Sequence, residues 1–168
     1  MGFTQDQFST FIPFSNFGHS AGTWTDTVAS NVWYKRRTAA DAAATSYIPI
    51  GHAPQRDGAN KGAMLNSLEV HFRVVTAALD ACEAHIYKAT LGADGSLLTV
   101  AEVPTSYDTG HDTAAERYDV DEHLMTLTVT TPTYLDDNEY LFAEVVYDAA
   151  ATSLIDEFGA VANWTLRL

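Results

Sequence analysis

The chain has 168 residues, 46% of them hydrophobic, and carries 22 Asp and Glu against 9 Lys and Arg for a formal net charge of -13. That length fits one domain able to bury a core without staples, and that apolar content excludes global disorder. An acidic surface repels phosphate backbones and anionic bilayers, so nucleic acid and membrane are excluded as expected partners.

The single cysteine, Cys82, lies in a strand-like run, where a buried structural thiol is the expectation. No basic segment followed by an apolar one opens the chain, so no signal peptide is read and synthesis in the host cytoplasm is expected. No apolar stretch approaches the length of a membrane span.

Residues 1–22 form a distinct opening, with Phe3, Phe8, Phe11, Phe14 and Phe17 set among Ser, Thr, Gln, Asn and Gly. Their spacing fits neither a helix nor a strand, so an extended arm is expected. Aromatic side chains on such an arm need burial, either on the arm's own domain or on a neighbouring subunit. We take these five phenylalanines as candidate oligomer-interface residues. On that reading, removing the arm weakens assembly more than folding.

Thr23 to Arg37 is strand-like, and Ala39 to Ala44 reads as a loop or a short helical turn. Ser46 to Ile50 reads as a short strand, with Pro49 marking an edge. A polar loop follows from Gly51 to Gly62. Then come two long strands, Met64 to Thr76 and Ala81 to Leu91. In the first, Leu68, Val70, Phe72 and Val74 alternate with Glu69, His71 and Arg73, the period-two pattern of a half-buried strand. Gly92 to Ser96 signals a hairpin into Leu97 to Val103.

Pro104 to Glu116 is polar and irregular. Strands are expected again near Arg117 to Val120 and at His123 to Thr131, where Met125, Leu127 and Val129 alternate with threonines. Asp136-Asp137-Asn138 is a turn signal, and Glu139 to Asp148 and Phe158 to Leu168 close the chain as strands. The whole reads as an all-β, single-domain, jelly-roll-like β-sandwich of about eight to ten strands, with the sandwich over 23–168 and the arm over 1–22.

Chemistry-bearing motifs are scarce. Asp108, His111, Asp112, Asp119, Asp121, Glu122 and His123 offer metal-ligand types, but their spacing matches neither an EF-hand loop nor an HExxH helix. They are read as a solvated acidic loop, with no metal and no cofactor assigned. No nucleophile elbow or phosphate-binding Gly loop occurs, so no catalytic residue is assigned and an enzyme is not expected. Trp24, Trp33, Tyr107, Tyr118 and Tyr134 are candidates for stacking on sugars, although aromatics in β-proteins more often pack in the core.

Lys61-Gly62-Ala63-Met64-Leu65-Asn66-Ser67-Leu68-Glu69-Val70 and Tyr107-Asp108-Thr109-Gly110-His111-Asp112, the latter followed by Tyr134-Leu135-Asp136-Asp137 and Tyr140, resemble small uncharacterised β-sandwich proteins of phage and environmental viral genomes. The resemblance implies a virion component and transfers no catalytic residue. The expected function is therefore a viral structural protein, as a capsid, capsid-decoration, tail or fibre subunit. It would be located in the virion and act as a homo-oligomer bound to other virion proteins. The alternative is a carbohydrate- or receptor-binding module of the same fold.

Overall fold

The computed structural model describes residues 5–38, 42–51, 63–92, 96, 98–132, 134–136, 138–149 and 153–167. Its strands are β1 (Gln5–Pro13), β2 (Gly18–Ser20), β3 (Trp24–Ala29), β4 (Val32–Arg37), β5 (Ala43–Gly51), β6 (Ala63–Val75), β7 (Ala81–Thr90), β8 (Thr99–Val103), β9 (Thr105–Tyr107), β10 (Glu122–Val129), β11 (Glu139–Asp148) and β12 (Leu154–Arg167). One short helix, α1 (Ala114–Tyr118), precedes β10.

The strands form two antiparallel sheets. The seven-stranded sheet runs β3-β4-β12-β6-β10-β9, with β1 also paired to β12; the five-stranded sheet runs β2-β5-β11-β7-β8. The long strands β5, β6, β7, β10, β11 and β12 alternate between the sheets, apart from the local hairpin and edge segments β8 and β9. This is the expected all-β sandwich, with crossovers of the jelly-roll kind. It has twelve described strands, more than expected, because the opening and the β3–β4 segment contribute strands of their own.

Period-two alternation builds the core. Leu68, Val70, Phe72 and Val74 of β6 are buried, as are Met125, Leu127 and Val129 of β10 and Ala160, Ala162 and Trp164 of β12. Against them pack Cys82, Ala84 and Ile86 of β7, and Leu141, Ala143, Val145 and Tyr147 of β11. Each large apolar side chain so buried contributes about 2–3 kcal/mol. A polar contact also crosses the sandwich: His19 Nε2 of β2 lies 2.8 Å from Glu157 Oε2 of β12, joining one sheet to the other.

On the outer face of the seven-stranded sheet, fully buried Asp156 of β12 accepts hydrogen bonds from Arg36 of β4 at 2.6 and 2.7 Å. It also accepts from Arg73 of β6 at 2.6 and 3.2 Å. Two guanidinium forks thus satisfy one carboxylate from both flanking strands.

The extended-arm reading needs correction. β1 pairs with β12 over nine residues, from Gln5 opposite Arg167 to Pro13 opposite Gly159. A 3-10 turn, Phe14–Asn16, then carries the chain to β2 in the other sheet. Phe14 and Phe17 are buried in the chain's own core, which withdraws them as oligomer-interface residues. Phe8 is half-buried and stacks on Trp164 with ring centroids 6.3 Å apart. Phe11 stays exposed on the sheet surface, and Phe3 lies outside the described residues. The aromatic spacing looked irregular because Phe8 and Phe11 lie on a strand, Phe14 in the turn and Phe17 just after it, before β2.

β1 approaches β12 closely at Gly159, where φ is +145°. A Cβ there would lie 2.9 Å from the Ile12 carbonyl oxygen and 3.0 Å from the Phe11 ring, so the bulge in β12 requires glycine.

Three further expectations shift. Thr23 to Arg37 is a hairpin and not one strand, because Ser30 and Asn31 take φ of 51° and 65° and turn the chain. Arg117 lies in α1 and not in a strand; Thr113 and Glu116 form a capping box that starts the helix. Pro49 lies in β5 beyond the stretch that β2 pairs, which is Thr45 to Tyr47, so proline sits where no neighbour needs its N–H.

Candidate functional site

The face of the five-stranded sheet turned away from the core carries a group of neighbouring aromatic side chains. On β5, Ala44, Ser46, Ile48 and Ile50 point inward, so Thr45, Tyr47 and Pro49 point outward. On β11 the inward set is Leu141, Ala143, Val145 and Tyr147, which leaves Tyr140, Phe142, Glu144, Val146 and Asp148 outside. On β7 the same parity puts Glu83, His85 and Tyr87 outside. Strand register then assembles rows across the sheet. Tyr47, Glu144 and His85 stand opposite one another, and Pro49, Phe142, Tyr87 and Glu102 form the next row.

Within these rows Tyr87 and Phe142 stack with centroids 5.3 Å apart and planes 25° apart. Tyr140 lies 6.2 Å from Phe142. Tyr47, Pro49, Tyr140 and Phe142, with Asn16 and Gly18, line an open trough of about 310 Å³. Hydrogen-bonding groups border the aromatics. His85 Nδ1 lies 2.8 Å from Glu102 Oε1, and its Nε2 lies 3.8 Å from Glu83 Oε2. Partial burial, then the negative charge of Glu144 and Glu102, holds the Tyr87 phenol above its ordinary value, and the phenol donates to Glu144. The trough thus offers apolar ring surface beside carboxylate acceptors, on rigid strands.

The stacking candidates read from the sequence lie elsewhere. Trp24 packs on His19 at 4.2 Å. Trp33 sits on the β3–β4 hairpin, edge-on to Phe14. Tyr107 turns inward, where its hydroxyl donates to the Ala84 carbonyl and accepts from the Ala84 N–H. Tyr118 packs against the core, and Tyr134 bridges to Met64. The face is instead built by Tyr47, Tyr87, Tyr140 and Phe142. A sequence signal for it exists: Glu139 to Asp148 is apolar at both parities, which a strand with one wet face would not be.

Of the acidic and histidine cluster, the fold brings Asp108, His111 and His123 together. Asp108 accepts from His111 Nδ1 at 2.9 Å, and His111 Nε2 faces His123 Nδ1 at 3.4 Å. His123 Nε2 donates to the Asp119 carbonyl at 3.1 Å, and its ring stacks on Phe72 at 4.7 Å. Burial works to raise the Asp108 carboxyl, but hydrogen bonds from His111, the Thr126 N–H and the Gly110 N–H hold it below its ordinary value. Asp112, Asp121 and Glu122 stay exposed. Among the described residues no group of three or more His, Cys, Asp or Glu is placed to hold a metal ion. The arrangement pins the loop before β10 onto β6.

Burial pushes the Cys82 thiol up to about 12, so it stays protonated in the core as the sequence reading expected.

No protein-family model matches the chain, and no curated protein does. Solved structures that match include the Clostridium thermocellum N-terminal endo-1,4-β-D-xylanase 10B (CBM22-1 and GH10 modules complexed with xylohexaose), at 7% identity and a TM-score of 0.45 over 94% of this chain and 27% of that one. The CBM27-1 module of Caldicellulosiruptor saccharolyticus, in complex with mannohexaose, matches at 10% identity and a TM-score of 0.36 over 91% of this chain and 96% of that one. The enzymatically active domain of tailspike protein 4 from bacteriophage CBA120 matches at 9% identity and a TM-score of 0.36 over 95% of this chain and 19% of that one. The chain thus spans about a quarter or less of the first and third of these structures.

Proposed function

We propose that this protein is a glycan-binding β-sandwich module and that the trough on the five-stranded sheet is its binding surface. The observation that carries this is the lining: Tyr47, Pro49, Tyr140 and Phe142 on two adjacent strands, with Glu144 and Asn16 at its borders. A pyranose presents a C–H face that packs on aromatic rings and an edge of hydroxyls that donate to carboxylates. Apolar surface with a few placed polar groups is the general form of a small-ligand site. Because every lining side chain except Asn16 stands on a strand, the site needs little ordering on binding.

The test is a glycan array followed by calorimetry on the wild type and on Tyr47→Ala and Phe142→Ala. Expected is saturable binding of at least one oligosaccharide, weakened about tenfold or more in each variant with the fold intact. A protein that retains no glycan, or variants that bind as the wild type does, would refute the reading.

A second reading, self-assembly within a virion, is favoured by a separate observation. In the β3–β4 hairpin, β4 pairs with β12 at Lys35 to Arg37, and the hairpin's far end exposes Val28, Val32 and Trp33 at 71%, 47% and 54%. A second copy covering that tip would give the homo-oligomer expected from the sequence. Light scattering of the wild type against Val28→Ser/Trp33→Ser decides it: loss of an oligomer supports assembly, and a monomer in both removes it.

A further inference from the structure

We infer that the trough takes uncharged glycan chains and turns away chains carrying carboxylates or sulfates, an inference that rests on the glycan reading above. Every charged side chain that strand parity places on this face is acidic: Glu83 on β7, Glu102 on β8, and Glu144 and Asp148 on β11. Among the described residues the one imidazole on this face, His85, is held between Glu102 at 2.8 Å and Glu83 at 3.8 Å. Lys88 on β7 has the opposite parity and is ion-paired with Glu139 at 2.7 Å. No Arg or Lys among the described residues stands on this face.

An anionic sugar is held by a guanidinium fork or an ammonium group, and among the described residues this surface presents neither. Glu144 stands between Tyr47 and His85 in one row, and Glu102 ends the row of Phe142 and Tyr87. A chain lying on the aromatics therefore passes about one strand spacing, roughly 5 Å, from Glu144 beside Tyr47, and meets Glu102 at the same spacing where it reaches Tyr87. For hydroxyls these carboxylates are acceptors. For a uronate or sulfate they are like charges at close range. The upward push that Glu144 and Glu102 exert on the Tyr87 phenol registers the same negative field.

The experiment compares polymers that share a backbone and differ in charge. Affinity electrophoresis is run in gels containing hydroxyethylcellulose or carboxymethylcellulose, and methyl-esterified or de-esterified homogalacturonan. The proteins are the wild type, Glu102→Gln/Glu144→Gln, and Asp112→Asn/Glu122→Gln, which removes the same number of charges away from the face. Expected is retardation of the wild type by an uncharged polymer at least about fivefold stronger than by its charged partner. That ratio should fall towards one in the Glu102/Glu144 variant and at about 300 mM NaCl, and persist in the Asp112/Glu122 variant.

Equal retardation by both members of a pair overturns the inference while leaving the glycan reading standing. A ratio that collapses equally in the Asp112/Glu122 variant also overturns it, because net charge and not the face would then discriminate. If none of the four polymers retards the wild type and the array is also blank, the glycan reading fails and the inference falls with it. If the array is positive, the pairs are repeated with the bound glycan and its carboxymethylated form under the same criteria.

Discussion

His19 and Glu157 meet 2.8 Å apart inside the sandwich, one from the three-residue strand β2 and the other from β12 in the opposite sheet. Glu157 is 1% exposed, and the buried Tyr147 phenol faces it. Burial and that carboxylate push Tyr147 well above its ordinary value and keep it neutral. Removing the imidazole leaves the buried Glu157 side chain without its His19 hydrogen-bond partner. We expect His19→Ala to cost about 3 kcal/mol in urea unfolding, and His19→Leu/Glu157→Leu to recover most of it. A cost under about 0.5 kcal/mol would show that the pair is not a tie between the sheets.

The N-terminal segment is expected to act on folding. Deleting residues 1–13 strips β12 of one of its partners from Gly159 to Arg167 and removes buried Ile12 and the Phe8 ring over Trp164. The loss is expected to reach about 4 kcal/mol or more, read as a lowered urea midpoint. An unchanged midpoint together with a lost oligomer would restore the arm to an inter-subunit role.

Cys82 is 1% exposed and its thiol is pushed up to about 12. The native protein at pH 8 should therefore resist iodoacetamide and Ellman's reagent, and react at once when unfolded in guanidinium. Labelling of the native chain at the rate of a free thiol would contradict its place in the core.

Glu139 accepts from Lys88 Nζ at 2.7 Å, from the Asp136 N–H at 3.0 Å and from the Thr90 hydroxyl at 3.2 Å. Burial works to raise its carboxyl, yet these partners hold it below its ordinary value of 4.5. A depressed folded value means the stabilisation is present above the unfolded value and disappears as pH falls through the folded one. Glu139→Gln should thus lower stability by about 1–2 kcal/mol at neutral pH, with the gap from wild type closing below about pH 4. A gap constant from neutral to acid pH would mean that the ionised carboxylate is not what matters.

Strand identity was legible wherever one face is wet. Glu69, His71 and Arg73 alternate with Leu68, Val70 and Phe72, and the structure buries the second set. The hairpin turn at Ser30-Asn31 was hidden because neither residue is glycine, although both take positive φ. α1 was hidden by its brevity; five residues hold too few turns to show a period, and only the Thr113/Glu116 cap marks it. The candidate site was least visible of all. Tyr47, Tyr87 and Phe142 come from three strands far apart in sequence, and only strand register makes them neighbours. Phe14 and Phe17 misled for a related reason: their burial depends on a strand pairing that local sequence does not encode.

Because Gln5 pairs with Arg167, the chain's opening strand docks on its closing one. At about 5–20 residues per second of synthesis, β1 leaves the ribosome roughly 10–30 s before its partner exists. Throughout that interval Phe8, Phe11 and Ile12 have no sheet to join. β6 in turn lacks its neighbour on one side until the last residues arrive, since β12 covers it from Ala63 to Val75. Closure of the larger sheet is therefore a late, long-range event. The vulnerable species in the cell is the unfinished polypeptide, whose yield should respond to translation speed and to chaperones that shield apolar segments.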